Sequence, residues 1–429
     1  MGFKTFFATL AVAGFSYSAQ ASCPVGTKAY HKNLNNKETC ALYGTYKDDL
    51  FLSSDKSWVL EGGVFIGKDN GQGGTNLELD PAVLTIEAGT TIYALNPKKD
   101  MSLPPAAQKD RKDFLVISRG SQIIAEGTES SPIVFTSASD APKAADWGGL
   151  FIDGMAPVNK CADLNNCSVA GEAGTGWYGG NDPFDNSGVL RYVRVEFGGD
   201  QIDEEKQFNG ITFNSVGAGT IVDYIQVHKN DDDGIEFFGG TVNVKHVVIT
   251  EASDDSIDWT YGYTGMIQFA AVVQGEAKAD RGIEADNNSK NVDLEPRSNP
   301  TLSNVTLLGS SISSEGLKFR VGTAVTMTNS IVMGFAKNCM DDKDAYAPGV
   351  HVFNNVFACA NLGTSANHAG NEFYNDKSIV KLDGLFPATG SDLLVKGSIP
   401  EDFDFFFDDV SFIGAFGDTN WAANWTVGL

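Results

Sequence analysis

Apolar and polar positions along this chain fall into short runs rich in Val, Ile, Phe and Thr, broken by Gly, Asn and Asp. Such runs predict brief β-strands joined by tight turns. No long Leu/Ala/Glu/Lys-rich stretch with a helical period stands out beyond the first 21 residues. Four pieces align on one template: Asp233-Gly234-Ile235-Glu236, Asp255-Ser256-Ile257-Asp258, Arg281-Gly282-Ile283-Glu284 and Glu315-Gly316-Leu317-Lys318. They start 22, 26 and 34 residues apart, and each follows a longer β-rich run such as IVDYIQVHK or VNVKHVVIT.

A self-similar step of this length, with two or three strands in each, predicts one coil of a parallel β-helix. Propeller blades repeat at about 40 residues or more. A β-sandwich needs no internal register. Ile235, Ile257, Ile283 and Leu317 are then the inward stack, and the residues one position later point outward. The long third step places an insertion, EADNNSKNVDLEPRSNP, outside the coil as a loop. The predicted organisation is a signal peptide over 1–21, an N-terminal cap over 22–59, a solenoid over 60–365 and a capping segment over 366–429.

The alignment stacks acids. Asp232 lies over Asp254 and Asp280, Asp233 over Asp255 and Arg281, and Glu236 over Asp258 and Glu284, with Lys318 next. Carboxylates about 5 Å apart repel and resist ionisation. Three readings follow. The ordinary one is a solvated turn, partly salt-bridged by Arg281 and Lys318. The second is Ca²⁺, which takes six to eight oxygens from carboxylates, carbonyls and water; its ligands would be Asp232, Asp233, Glu236, Asp254, Asp255, Asp258, Asp280 and Glu284. The third is a catalytic pair drawn from Asp233, Asp255, Asp258 and Glu284, as in glycoside hydrolysis, or a lyase in which Arg281 neutralises a uronate.

Trp177, Tyr178, Trp259 and Tyr261 sit in Gly-rich stretches, where exposed rings would offer platforms for sugars. His228 and His246 are expected to stack as a structural pair. No nucleophile elbow, phosphate loop or His-Glu-x-x-His occurs.

Composition narrows the setting. The chain has 429 residues, 42% hydrophobic, with 55 acids against 31 bases and a formal charge of −24. That surface repels phosphate and disfavours nucleic acid and anionic membrane. Residues 1–21 carry Lys4, an apolar run from Phe6 to Phe15 and Ala19-Gln20-Ala21, the pattern of a secretory signal peptide. Cys23 admits a lipoprotein reading, but Gln20 stands where a lipid-attachment site has Leu. All six cysteines lie beyond this segment. Neighbour pairing, Cys23 with Cys40, Cys161 with Cys167 and Cys339 with Cys359, is the simplest of the 15 connectivities that six cysteines allow. An oxidising compartment is implied: extracellular, periplasmic or the outer cell surface of a bacterium. No later segment is long and apolar enough to span a bilayer.

Together DWGGLFIDGMAPVN, DNSGVLRYVRVEFGG, NDDDGIEFFGGTVNVKHVVI, DDSIDWTYGYTG and FIGAFGDTNWAANWT resemble a group of secreted bacterial proteins. These are commonly labelled lipoproteins or surface proteins. The resemblance implies a right-handed parallel β-helix of the pectate-lyase-like superfold and carries no activity with it. In that superfold, polygalacturonases show Gly-His-Gly and Arg-Ile-Lys, which are missing here. The Trp-x-Asp-His element of pectate lyases is missing too, since Ile257-Asp258-Trp259-Thr260 has no histidine. The resulting expectation is a surface or extracellular protein that binds a glycan or another surface component, stabilised by Ca²⁺. The alternatives are a polysaccharide lyase or glycoside hydrolase working on the acidic column, and a structural assembly subunit.

Overall fold

The computed structural model describes residues 23–71, 79–96, 111–202, 206–398 and 406–429; the predicted signal peptide lies outside them. The protein is a right-handed parallel β-helix. Among the described residues one 26-stranded sheet winds through it, parallel except where Lys28–Ala29 pairs antiparallel with Thr39–Tyr46. No described helix is long and apolar enough to cross a membrane.

The central coils show why the sequence repeats. Each contributes one long strand and one short strand. The long strands are Gly188–Glu196, Ile221–His228, Asn243–Thr250, Met266–Val273 and Thr301–Leu308. The short ones are Ile211–Asn214, Ile235–Phe238, Ile257–Thr260, Ile283–Ala285 and Glu315–Phe319. Ile235, Ile257, Ile283 and Leu317 occupy one register column, as the sequence alignment predicts. They are almost wholly buried, so the core is a stack of like side chains along the axis.

Each long strand bends in the middle, which turns two strands per coil into three faces. The bend is a residue with positive φ: Tyr192 (49°), Tyr224 (53°), His246 (49°), Phe269 (59°) and Asn304 (57°). A left-handed conformation at a non-glycine residue costs of order 1–3 kcal/mol. Here the bends stack and offset part of that cost. The Tyr192 and Tyr224 rings lie 4.5 Å apart, Tyr224 and His246 4.1 Å, and His246 and Phe269 4.9 Å. His246 therefore stacks with Tyr224 and Phe269, not with His228. The reason is register: His228 aligns with Thr250, and its ring nitrogen meets the Thr250 hydroxyl at 2.7 Å.

The C-terminal segment packs on the late coils, where Val380, Leu393 and Ile413 join Ile331, Val356 and Ala358 in one buried cluster, and its final aromatics run along the flank of the middle coils. Trp425 stands edge-on to Tyr192 at 5.6 Å, and Trp421 edge-on to His246 at 5.0 Å. The coil ladder also reaches further than 60–365. It begins with Thr39–Tyr46 paired to Ser57–Ile66 and ends with Glu372–Tyr374 on Val356–Ala358. The N-terminal cap is correspondingly short, and the Cys23–Cys40 disulfide fastens it to the first coil. Cys161–Cys167 closes a surface loop, and Cys339–Cys359 joins two late rungs inside the core.

Candidate functional site

The site begins at Asn230 to Gly240, NDDDGIEFFGG. Asn230 is fully buried and donates to the carbonyls of Phe208 and Asp233, which fixes the turn before the strand. The Asp233 Oδ1 accepts the backbone N–H of Asp255 on the next coil (3.0 Å), and the Asp255 Oδ1 accepts that of Arg281 (2.7 Å). These aspartates thus tie coil to coil. Strand alternation then turns Ile235 inward and Glu236 outward. The outward column runs Thr212, Glu236, Asp258, Glu284, Lys318, Asp341.

Two insertions wall this column. Residues 155–187 bring in Glu172, and residues 287–299 follow directly on Asp286. A buried amide network fastens them together: Asn159 Nδ2 donates to Asn287 Oδ1 (2.7 Å), and Asn288 Nδ2 donates to Asn159 Oδ1 (2.9 Å). The result is a cleft of about 320 Å³ lined by eight acidic and two basic side chains. Both bases are engaged. Lys206 meets Glu172 at 3.0 Å, while Arg320 bonds Glu284 and also Asp286 at 2.7 Å.

At the floor, Asp233, Glu236 and Asp258 bring one oxygen each within 4.8 Å of one another. Burial pushes the carboxyls of Asp233 and Glu236 well above the ordinary range, and Asp258 raises both further. Burial does the same to Asp258, with Glu284 adding to it. Asp258 keeps some surface as a residue. Its carboxyl is enclosed all the same, and Oδ1 is sealed from solvent without a hydrogen-bond partner among the described residues. Asn209 donates to Glu236 at 2.5 Å. Nearer the mouth, Asp232 is pushed up to about 7, by burial first and then by Asp254.

The sequence profile of the pectate-lyase-like beta helix domain matches residues 44–386. The chain belongs to this family. No curated protein matches it significantly.

Within this pectate-lyase-like β-helix, the expected site residues divide. Asp232, Asp233, Glu236, Asp254, Asp258, Glu284 and Tyr261 line the cleft. Asp255, Asp280 and Arg281 lie outside its lining. There Arg281 meets Asp280 and Glu284 at 2.7 Å and Asp255 at 3.4 Å, so three carboxylates share one guanidinium in place of a bare acidic column.

Two expected sugar platforms are corrected. Trp259 is fully buried and donates Nε1–H to the Thr323 hydroxyl at 3.1 Å. The alternation that sends Asp258 out sends Trp259 in, so the sequence already held this signal. Tyr178 is 2% exposed, packed in the Val169–Ala170/Trp177–Tyr178 hairpin near Phe238. Trp177 is half-buried in the same hairpin but does not line the cleft. Tyr261 does line it, with the Lys160 ammonium 3.9 Å from its ring. Glu172, Lys206, Asn209, Asp286 and Arg320 were not foreseen. They come from insertions and from positions outside the repeat template.

Chemically, the floor offers hard, closely spaced oxygens that must carry protons or a cation. Ca²⁺ fits that donor set. Zinc does not, since structural and catalytic zinc sites draw on Cys or His and neither lines this cleft.

Proposed function

We propose that this protein is an exported β-helix whose cleft holds Ca²⁺ on Asp233, Glu236 and Asp258. Through the positions those carboxylates leave open, the ion takes hydroxyls of a glycan. The carrying observation is the converging trio with its sealed, unpaired Asp258 Oδ1. Buried carboxylates without a counter-charge are unfavourable when ionised. A hard cation with six to eight oxygen positions relieves that and leaves sites for ligand oxygens. Tyr261 lines the same cleft, with the Lys160 ammonium held 3.9 Å from its ring centroid. Three disulfides support the exported setting.

The test is Ca²⁺ calorimetry or Tb³⁺ luminescence on chelator-treated protein, followed by retention on a polysaccharide panel with and without Ca²⁺. Saturable binding lost in Asp258→Asn, together with Ca²⁺-dependent retention, supports the reading. Absence of ion binding refutes it.

A second reading is a glycoside hydrolase. The enclosed acids bring one oxygen each within 4.8 Å of one another, close enough for the paired-carboxyl chemistry of retaining enzymes. New reducing ends from the same panel, lost in Asp258→Asn, would favour this reading over simple binding.

A further inference from the structure

Asp232 and Asp254 sit at the mouth of the cleft, on consecutive coils. With Asp233 they bring one oxygen each within 4.8 Å of one another. Asp254 is exposed and Asp232 half-buried. The neighbouring cations are committed elsewhere: Lys206 to Glu172, Arg320 to Glu284 and Asp286, Arg281 to Asp255, Asp280 and Glu284, and Lys278 to Asp231 at 2.6 Å. Lys160 is held over Tyr261. A Ca²⁺ on the floor trio offsets two of its three carboxylate charges, and Asp232 and Asp254 add two further carboxyls at the mouth.

The cleft as a whole points to a ligand independently of that charge, because the Asp258 Oδ1 is sealed within it and unpaired. An anionic sugar entering here would meet carboxylates on both sides and find the local guanidinium and ammonium groups already bonded. A uronate or sulfated glycan is therefore disfavoured. A protonated primary amine is the complementary group. It is compact, carries three donors and can bridge two carboxylates on adjacent coils.

We propose that the ligand of this cleft is an amine-bearing glycan, a polymer of 2-amino-2-deoxysugars with free amino groups, whose ammonium sits between Asp232 and Asp254. This rests on the glycan-binding reading above and specifies its substrate class.

The test uses the full mature chain, saturated with Ca²⁺, at a pH where the sugar amine is protonated. Calorimetry compares three oligosaccharides of equal length: glucosamine, N-acetylglucosamine and galacturonate. The expected result is a preference of about tenfold for the free amine over its acetylated counterpart, the scale of a charge-assisted hydrogen bond. In Asp254→Asn that preference disappears, while affinity for Ca²⁺ and for the acetylated oligomer is kept. Asp254 is exposed, so this variant keeps the fold.

Equal binding of the amine and its acetylated form overturns the proposal and leaves glycan binding standing. Preference for galacturonate overturns it in the same way. A second Ca²⁺ bound per chain and lost in Asp254→Asn overturns it by filling the mouth with metal. Ca²⁺ binding with no affinity for any of the three sugars removes the glycan reading itself.

Discussion

Gln226 and Val427, separated by 201 residues, exchange two hydrogen bonds. The Gln226 amide donates to the Val427 carbonyl at 2.6 Å, and the Val427 N–H donates back to the Gln226 Oε1 at 3.0 Å. A side-chain amide here does what a neighbouring strand would do. Gln268 repeats the exchange with Asp408, and Asn304 donates to Phe412. The C-terminal strap is thus held by side-chain amides at and on either side of the bends. Replacing Gln226 with Leu would leave two backbone groups of Val427 unpaired. The expected loss is about 1–3 kcal/mol, read as a lower urea midpoint with an unchanged slope. An unchanged midpoint would show that the strap contributes no stability through this pair.

Ca²⁺ should stabilise the folded chain by linkage. An ion that binds only the native state at 100 times its dissociation constant adds about 2.7 kcal/mol. Thermal melts of the wild type with Ca²⁺ and with chelator should separate accordingly, while those of Asp258→Asn should converge. Equal separation in both proteins would move the ion away from this trio.

Asp233 has two duties that substitution can separate. Its Oδ1 accepts the Asp255 N–H, and the residue also belongs to the floor trio. Asp233→Ala orphans a buried N–H and should destabilise by about 1–3 kcal/mol. Asp233→Asn keeps an acceptor and should fold nearly as well, yet bind Ca²⁺ more weakly. If both variants lose stability equally, the carboxylate charge itself supports the coil contact.

Much of this was legible in the sequence because a coil-to-coil register is a sequence property. Ile235, Ile257, Ile283 and Leu317 announced the stack, and the position after each announced the outward column. Alternation could also have placed Trp259 inside. The walls of the cleft were not legible. Glu172 arrives on the insertion over 155–187 and Arg320 from beyond a repeat piece, and neither shares the periodicity that located the floor. The strap was equally hidden. Gln226 reads as an ordinary polar residue in a strand, and its partner is near the end of the chain.

Asp185 should make stability depend on pH. It is 4% exposed, accepts from the Ser187 hydroxyl at 3.3 Å and from the Gly217 N–H at 3.4 Å, and burial pushes its carboxyl up to about 6. Below about pH 4 the folded and unfolded chains both hold this proton. As pH rises past the ordinary carboxylate value, the unfolded chain ionises while the folded chain resists. Stability therefore falls between about pH 4 and pH 6 and is level above that, by an amount of order 3 kcal/mol at most. Asp185→Asn lacks the ionisation and keeps an acceptor. Its melting temperature relative to wild type should be near parity at about pH 4 and should climb to a plateau above about pH 6. Both proteins are melted in chelator, so that the acids of the cleft titrate alike in each and cancel in the difference. A difference that stays constant across that window would mean Asp185 ionises as readily in the folded chain as in the unfolded one.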